Sequence, residues 1–124
     1  MLLIYAEAAN RANHGTTTQA MEDLNQVHRR SYGYNPQSPS PVDYDAANFN
    51  EETFFDLLLR EKSYETILEC KRWLDLVRTG TAAKMVKQNT GKTLNESMLL
   101  WPIPVTELNY NKAIDPVKDQ NPGY

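Results

Sequence analysis

Glu61, Glu65 and Glu69 stand four residues apart in the stretch Glu61 to Gly80. In a continuous helix that spacing sets three carboxylates on one face. Carboxylates held a few ångströms apart are what glycoside hydrolysis uses, one as acid and the other as base or nucleophile. Those catalytic pairs face each other across a cleft from different elements, whereas these lie in line with cations nearby. Like charges at this spacing repel by about 0.2–0.5 kcal/mol per exposed pair, so cations must offset them. Arg72 is within the same stretch, and Arg11, Arg29 and Arg30 lie upstream. A forked guanidinium satisfies two carboxylate oxygens together, which favours an ion network between helices over catalysis. No other chemistry is set up by spacing. His14 and His28 have no second ligand at metal spacing and read as surface residues. Cys70 is a single cysteine, with neither a CxxC partner nor an activating base beside it. No catalytic residue, metal or cofactor is expected.

The elements that position these groups follow from punctuation. The chain has 124 residues, with 13 Lys+Arg against 16 Asp+Glu and a net charge of −3. An acidic balance argues against nucleic acid, which calls for a basic stripe. The aromatic content of 10% is enough to build a core, and no run approaches the ~20 apolar residues of a membrane-spanning helix. Prolines occur only at 36, 39, 41, 102, 104, 116 and 122, leaving 1–35 and 42–101 free of helix breakers. The run Met1 to Asn10 enters a helical pattern with no polar lead-in, which predicts a C-terminal piece of a larger protein. Asn13-His14-Gly15 gives its exit, Gly15 supplying left-handed geometry, and Thr16 with Gln19 offers a capping box for the next helix. Residues 1–33 thus predict a tetratricopeptide-like helical hairpin.

Residues 34–50 form a long connection rich in Pro, Ser, Asn and Asp. Its bland reading is a surface crossover. Its functional reading is a sugar-contacting surface, with Tyr34 and Tyr44 as stacking faces and Asn48 as a partner for hydroxyls. Asn50 then caps a long helix over 51–80, with a break near Cys70-Lys71 as the alternative. A short helix over 81–88 is possible. An extended, irregular segment covers 89–124, where each residue before a proline is pushed out of helix. The fold class is all-α.

The residues then reach a family. Glu61, Glu65, Glu69 and Arg72-Trp73-Leu74-Asp75-Leu76-Val77-Arg78-Thr79-Gly80 resemble the signature E-R-R-x-E-L-x-F-E-G-x-R-W-x-D-L-x-R-x-G of the SusD/RagB family. Leu2 to Ala8 resembles its LLxYAEA helix, and Leu24 to Arg30 its LNxVRxR helix, with His28 where arginine is common. Trp101-Pro102-Ile103-Pro104 and Gln120 to Tyr124 resemble its PIP…QNPGY ending. Leu68 replaces the usual Phe, and Cys70 replaces glycine.

The resemblance implies a non-catalytic, surface-exposed outer-membrane lipoprotein. Such proteins bind glycans or peptides for a partner TonB-dependent (SusC-like) transporter in polysaccharide utilisation. It also implies that this chain is the C-terminal part of such a domain. The anchoring lipid would be on a more N-terminal part, and most sugar contacts would lie upstream. Glu61, Glu65, Glu69, Arg72, Trp73, Asp75 and Arg78 match the signature and read as scaffold. A purely structural module contacting the transporter is the alternative.

Overall fold

The computed structural model describes residues 1–124, apart from the side chain of Glu96. The elements are α1 (Leu2–Ala12), α2 (Thr18–Ser31), α3 (Glu51–Glu65), α4 (Lys71–Arg78), α5 (Ala82–Thr90) and α6 (Val105–Tyr110). Short 3-10 turns at Ala46–Asn48 and Glu96–Leu99 complete them, with no strand among the described residues. The protein is all-α.

The chain divides into two compact units, Met1–Arg72 and Trp73–Tyr124. In the first, α1 and α2 form the hairpin and α3 packs on both. Its core joins Leu3 and Ala6 of α1, Ala20, Met21 and Leu24 of α2, and Phe54, Leu57 and Leu58 of α3. Alanines at 6 and 20, fully buried, let the first two helices approach closely. Each buried leucine contributes about 1.5–3 kcal/mol.

The ends of the helices differ from expectation in instructive ways. The left-handed residue after α1 is His14 (φ 50°), not Gly15. Thr17, not Thr16, caps α2, accepting from the Ala20 amide at 3.1 Å. Gln19 is used elsewhere, donating to Asp23 at 2.8 Å. Asn50 does cap α3. Its side chain accepts from the Thr53 amide while the Thr53 hydroxyl accepts from the Asn50 amide, both at 2.9 Å. A capping box closes that helix start.

The expected helix over 51–80 is two helices. α3 stops at Glu65 and α4 begins at Lys71. In the turn between them Leu68 (φ 67°) and Cys70 (φ 56°) take left-handed backbone. That conformation costs a side-chain-bearing residue about 1–2 kcal/mol. Cys70 therefore adopts the geometry for which the signature carries glycine. The turn is fastened by the Thr66 hydroxyl on the Lys62 carbonyl (2.7 Å) and by Arg72 on the Leu59 carbonyl (2.5 Å).

In the second unit, α4 closes at Gly80 (φ 69°) and α5 at Gly91 (φ 71°). Thr79 and Thr81 share a hydrogen bond at 2.8 Å, and the Thr81 amide donates to the Leu76 carbonyl at 2.9 Å. The segment 89–124, expected as irregular, contains α6 started by Pro104. Its extended part is held by side-chain amides. Gln120 accepts from the Ile103 amide (2.8 Å) and donates to the Ile103 carbonyl (3.2 Å). Asn121 donates to the Trp101 carbonyl (2.6 Å), and the Tyr124 hydroxyl to that of Leu100 (3.3 Å). A proline-bound segment cannot pair as a regular strand, so the tail's amides take its backbone groups.

Candidate functional site

The loop 34–50 and the acidic residues of α3 are the two places where the sequence gathers chemistry. α2 holds both. Arg29 of α2 is 1% exposed. Its Nε and Nη2 donate to the two carboxylate oxygens of Asp43 (2.7 and 2.5 Å). Its Nη1 and Nη2 donate to those of Glu22 (2.7 and 2.9 Å), and Nη1 also donates to the Pro36 carbonyl (2.8 Å). All the N–H donors of a guanidinium are thereby used. The Arg29 hydrogen bonds hold the Asp43 carboxyl at about 2, below its ordinary 3.8, and the same contacts push Arg29 up. Asp43 in turn accepts from the Ser40 amide and hydroxyl. The loop is thus a fixed strap with a buried ionic anchor, not a loose crossover.

Its tyrosines part company. The Tyr44 ring lies against His28 (centroids 4.6 Å apart) and meets Phe49 edge-on (5.9 Å). Its backbone exchanges two hydrogen bonds with the Asn25 amide, both at 2.9 Å. The hydroxyl accepts from Arg60 at 3.1 Å, and burial pushes the phenol up. Tyr44 therefore takes part in the packing of the strap and is half-buried there. Tyr34 is 44% exposed, and Asn48 is exposed at the end of the 3-10 turn that Asp45 caps. These two point outward.

Of the acidic positions, Glu65 meets one of the anticipated arginines and the other two find different partners. Glu61 is buried and meets Nδ1 of His28 at 3.2 Å, so His28 is a core residue and not a surface one. Glu65 pairs with Arg30. Glu69 lies in the turn after α3, off the helical face, and pairs with Lys71. Arg72 serves a backbone carbonyl, Arg29 serves the strap, and Arg11 sits 4.4 Å over the Phe55 ring. The guanidinium-only ladder is corrected to a mixed set. Lys62 adds a link that sequence reasoning missed, reaching Glu7 of α1 at 3.2 Å. The available signal was a glutamate amid the alanines of α1, a charge on a packing helix that needs a partner.

Chemically, then, α3 is bolted to α1 and α2 along its C-terminal half by Glu61, Lys62 and Glu65. No group of three or more His, Cys, Asp or Glu among the described residues is placed to hold a metal. In the second unit Asp75 pairs with Arg78 at 2.8 Å one turn along α4, and Trp73 is half-buried. These signature residues shape a helix.

Comparison with known proteins agrees with this architecture. The SusD family model matches residues 1–124. A SusD-like protein, P38, of Formosa agariphila is 34% identical over 116 residues, covering 93% of this chain and 22% of that protein. The crystal structure of a SusD homolog from Bacteroides thetaiotaomicron superposes with a TM-score of 0.79 at 31% identity, over 99% of this chain and 25% of that one. The chain thus spans about a quarter of the length of these relatives.

Proposed function

The chain belongs to the SusD family, and from that premise we propose that it serves a nutrient-binding protein of a polysaccharide uptake system, without catalysis. The match over residues 1–124 carries this reading. The chemistry is consistent with it. Carboxylates that could have served a hydrolase are absorbed by His28, Arg30 and Lys71. Binding would rest on aromatic stacking and on hydrogen bonds to hydroxyls, with no bond made or broken. On this chain Tyr34 and Asn48 are the outward groups of the strap that fit such contacts. The partner is a SusC-like TonB-dependent transporter, the cargo an oligosaccharide, and the site of action the outer-membrane surface. Attachment is through a lipid on polypeptide N-terminal to these residues. No helix is long and apolar enough to cross a membrane among the described residues.

Affinity gel electrophoresis against a panel of neutral and acidic polysaccharides tests this reading. Retardation by at least one glycan, with no new reducing ends after prolonged incubation, is the expected result. Reducing ends released by the purified chain would contradict it.

A second reading, a helical module that only contacts other polypeptide, is favoured by α1. Leu2, Ile4 and Tyr5 are exposed there and line a shallow groove with Ala8 and Gln19. A helix apolar on more than one face is built to be covered. Sedimentation that finds concentration-dependent association, relieved by Ile4→Glu, would support it. A compact monomer at all concentrations would oppose it.

A further inference from the structure

Asn10 is a polar residue on an apolar stripe. With Leu3 and Ala6 it faces inward from α1, and it is fully buried. Its Nδ2 donates to the Glu51 carbonyl at 2.9 Å, which ties the end of α1 to the start of α3. That bond also fixes how the amide is turned, because a carbonyl can only accept. Oδ1 is therefore the remaining end, and among the described residues this buried oxygen has no hydrogen-bond partner. An acceptor left so in a core is costly, and the docking of α1 on α3 uses only the other half of the amide.

Asn10 lines a pocket of about 230 Å³ together with Arg11, Glu51, Glu52 and Phe55. Phe55 is half-buried, and the Arg11 guanidinium lies 4.4 Å from the centre of its ring. A planar guanidinium stacked on a ring carries its N–H groups around its edge, where an acceptor alongside can take them. Glu51 also lies 3.7 Å from Nδ1 of His14, but a carboxylate has about four lone-pair sites and accepts further bonds. One small space thus combines a buried amide acceptor, a carboxylate, a guanidinium donor and an aromatic ring.

We propose that this pocket binds one neutral sugar unit, the end of a glycan chain, with Oδ1 of Asn10 accepting from one of its hydroxyls. This rests on the glycan-binding reading above and gives it a site and a class of sugar. A hydroxyl both donates and accepts, so adjacent hydroxyls of one ring can serve Asn10 and Glu51 as acceptors and Arg11 as donor. A uronate or sulfate would meet two glutamates at the same pocket, and a metal cation would meet Arg11. Size sets the rest. The pocket is smaller than the ~300–1,000 Å³ of sites that enclose larger ligands, which admits one ring and not a run of them.

Two-dimensional amide NMR of the 124-residue chain tests the proposal, with the methyl glycosides of glucose, mannose and galactose, and with galacturonate, as probes. At least one neutral glycoside should move the Asn10 side-chain amide resonances to saturation, and galacturonate should not. Affinity should fall roughly tenfold in Glu51→Ala, as a hydrogen bond to a charged group is lost. Glu51→Gln keeps an acceptor and should recover most of it. Asn10→Leu should abolish the response, followed at the Phe55 amide; should that variant fail to fold, the two substitutions at Glu51 still decide. Undiminished binding by Glu51→Ala, or galacturonate binding as well as the neutral sugars, overturns the proposal. An Asn10 amide that no sugar moves means that water alone meets Oδ1, and overturns it too. In that case retardation by a polysaccharide in the gel leaves the glycan-binding function standing, and no retardation contradicts both.

Discussion

Arg29 concentrates more of the fold's polar organisation than any motif residue suggests. A buried guanidinium with every donor engaged cannot be replaced by an ammonium, which has three donors and no fork. Arg29→Ala should therefore cost about 3 kcal/mol in chemical denaturation, and Arg29→Lys a large part of it. A loss below about 0.5 kcal/mol would show that the strap is not anchored there. The same contacts set a pH dependence. Asp43 has a folded value of about 2, below its ordinary 3.8. A depressed carboxyl stabilises the fold above its unfolded value and loses that contribution as pH falls through the folded one. Unfolding free energy should thus drop between about pH 4 and pH 2, and the drop should be smaller in Asp43→Asn. Residue types announced part of this. An arginine doublet following an amphipathic pattern was visible in sequence, with the glutamates of 61–69 as candidate partners, but the Asp43 partner of Arg29 was not, because it lies in a proline-rich connection whose path only the folded chain defines. Likewise His28 gave no sign of burial, since its Glu61 partner is contributed by a different helix.

At the scale of elements, the break between α3 and α4 was ambiguous in sequence because its marker was missing. Apolar spacing continues from Phe54 to Val77, and Cys70 occupies the place where glycine would have announced a turn. The break forms regardless, since the Thr66 and Arg72 hydrogen bonds fix it, at the expense of left-handed backbone at Leu68 and Cys70. Cys70→Gly should relieve that strain and raise stability by about 1 kcal/mol, read as an increased denaturation midpoint. A lower midpoint would contradict the turn geometry. The terminal strap is the reverse case. Its prolines and amides were plain in sequence, and the structure supplies the reason for their order. Gly123 has φ 94°, and a Cβ there would lie 2.6 Å from Cβ of Ser97. Gly123→Ala should lift the tail off residues 100–103, seen as faster hydrogen exchange at the Ile103 amide. Unchanged exchange would mean that the tail is held in some other way.

For the whole molecule, helix class and hairpin were readable because apolar periodicity, caps and breakers agree with one another. Which tyrosines are exposed was not, because exposure is decided by packing. Tyr34 and Tyr44 are alike in sequence, yet only one faces outward. The proposed function rests on one claim: the acidic groups hold helices together, and a ligand would leave unchanged. Isothermal titration calorimetry of polysaccharide into the protein tests that claim most directly, since one trace separates binding from turnover. We predict heats that saturate and return to baseline after every injection. A steady heat flow that persists between injections, removed by Glu65→Gln without loss of folding, would be the signature of hydrolysis and would contradict the account.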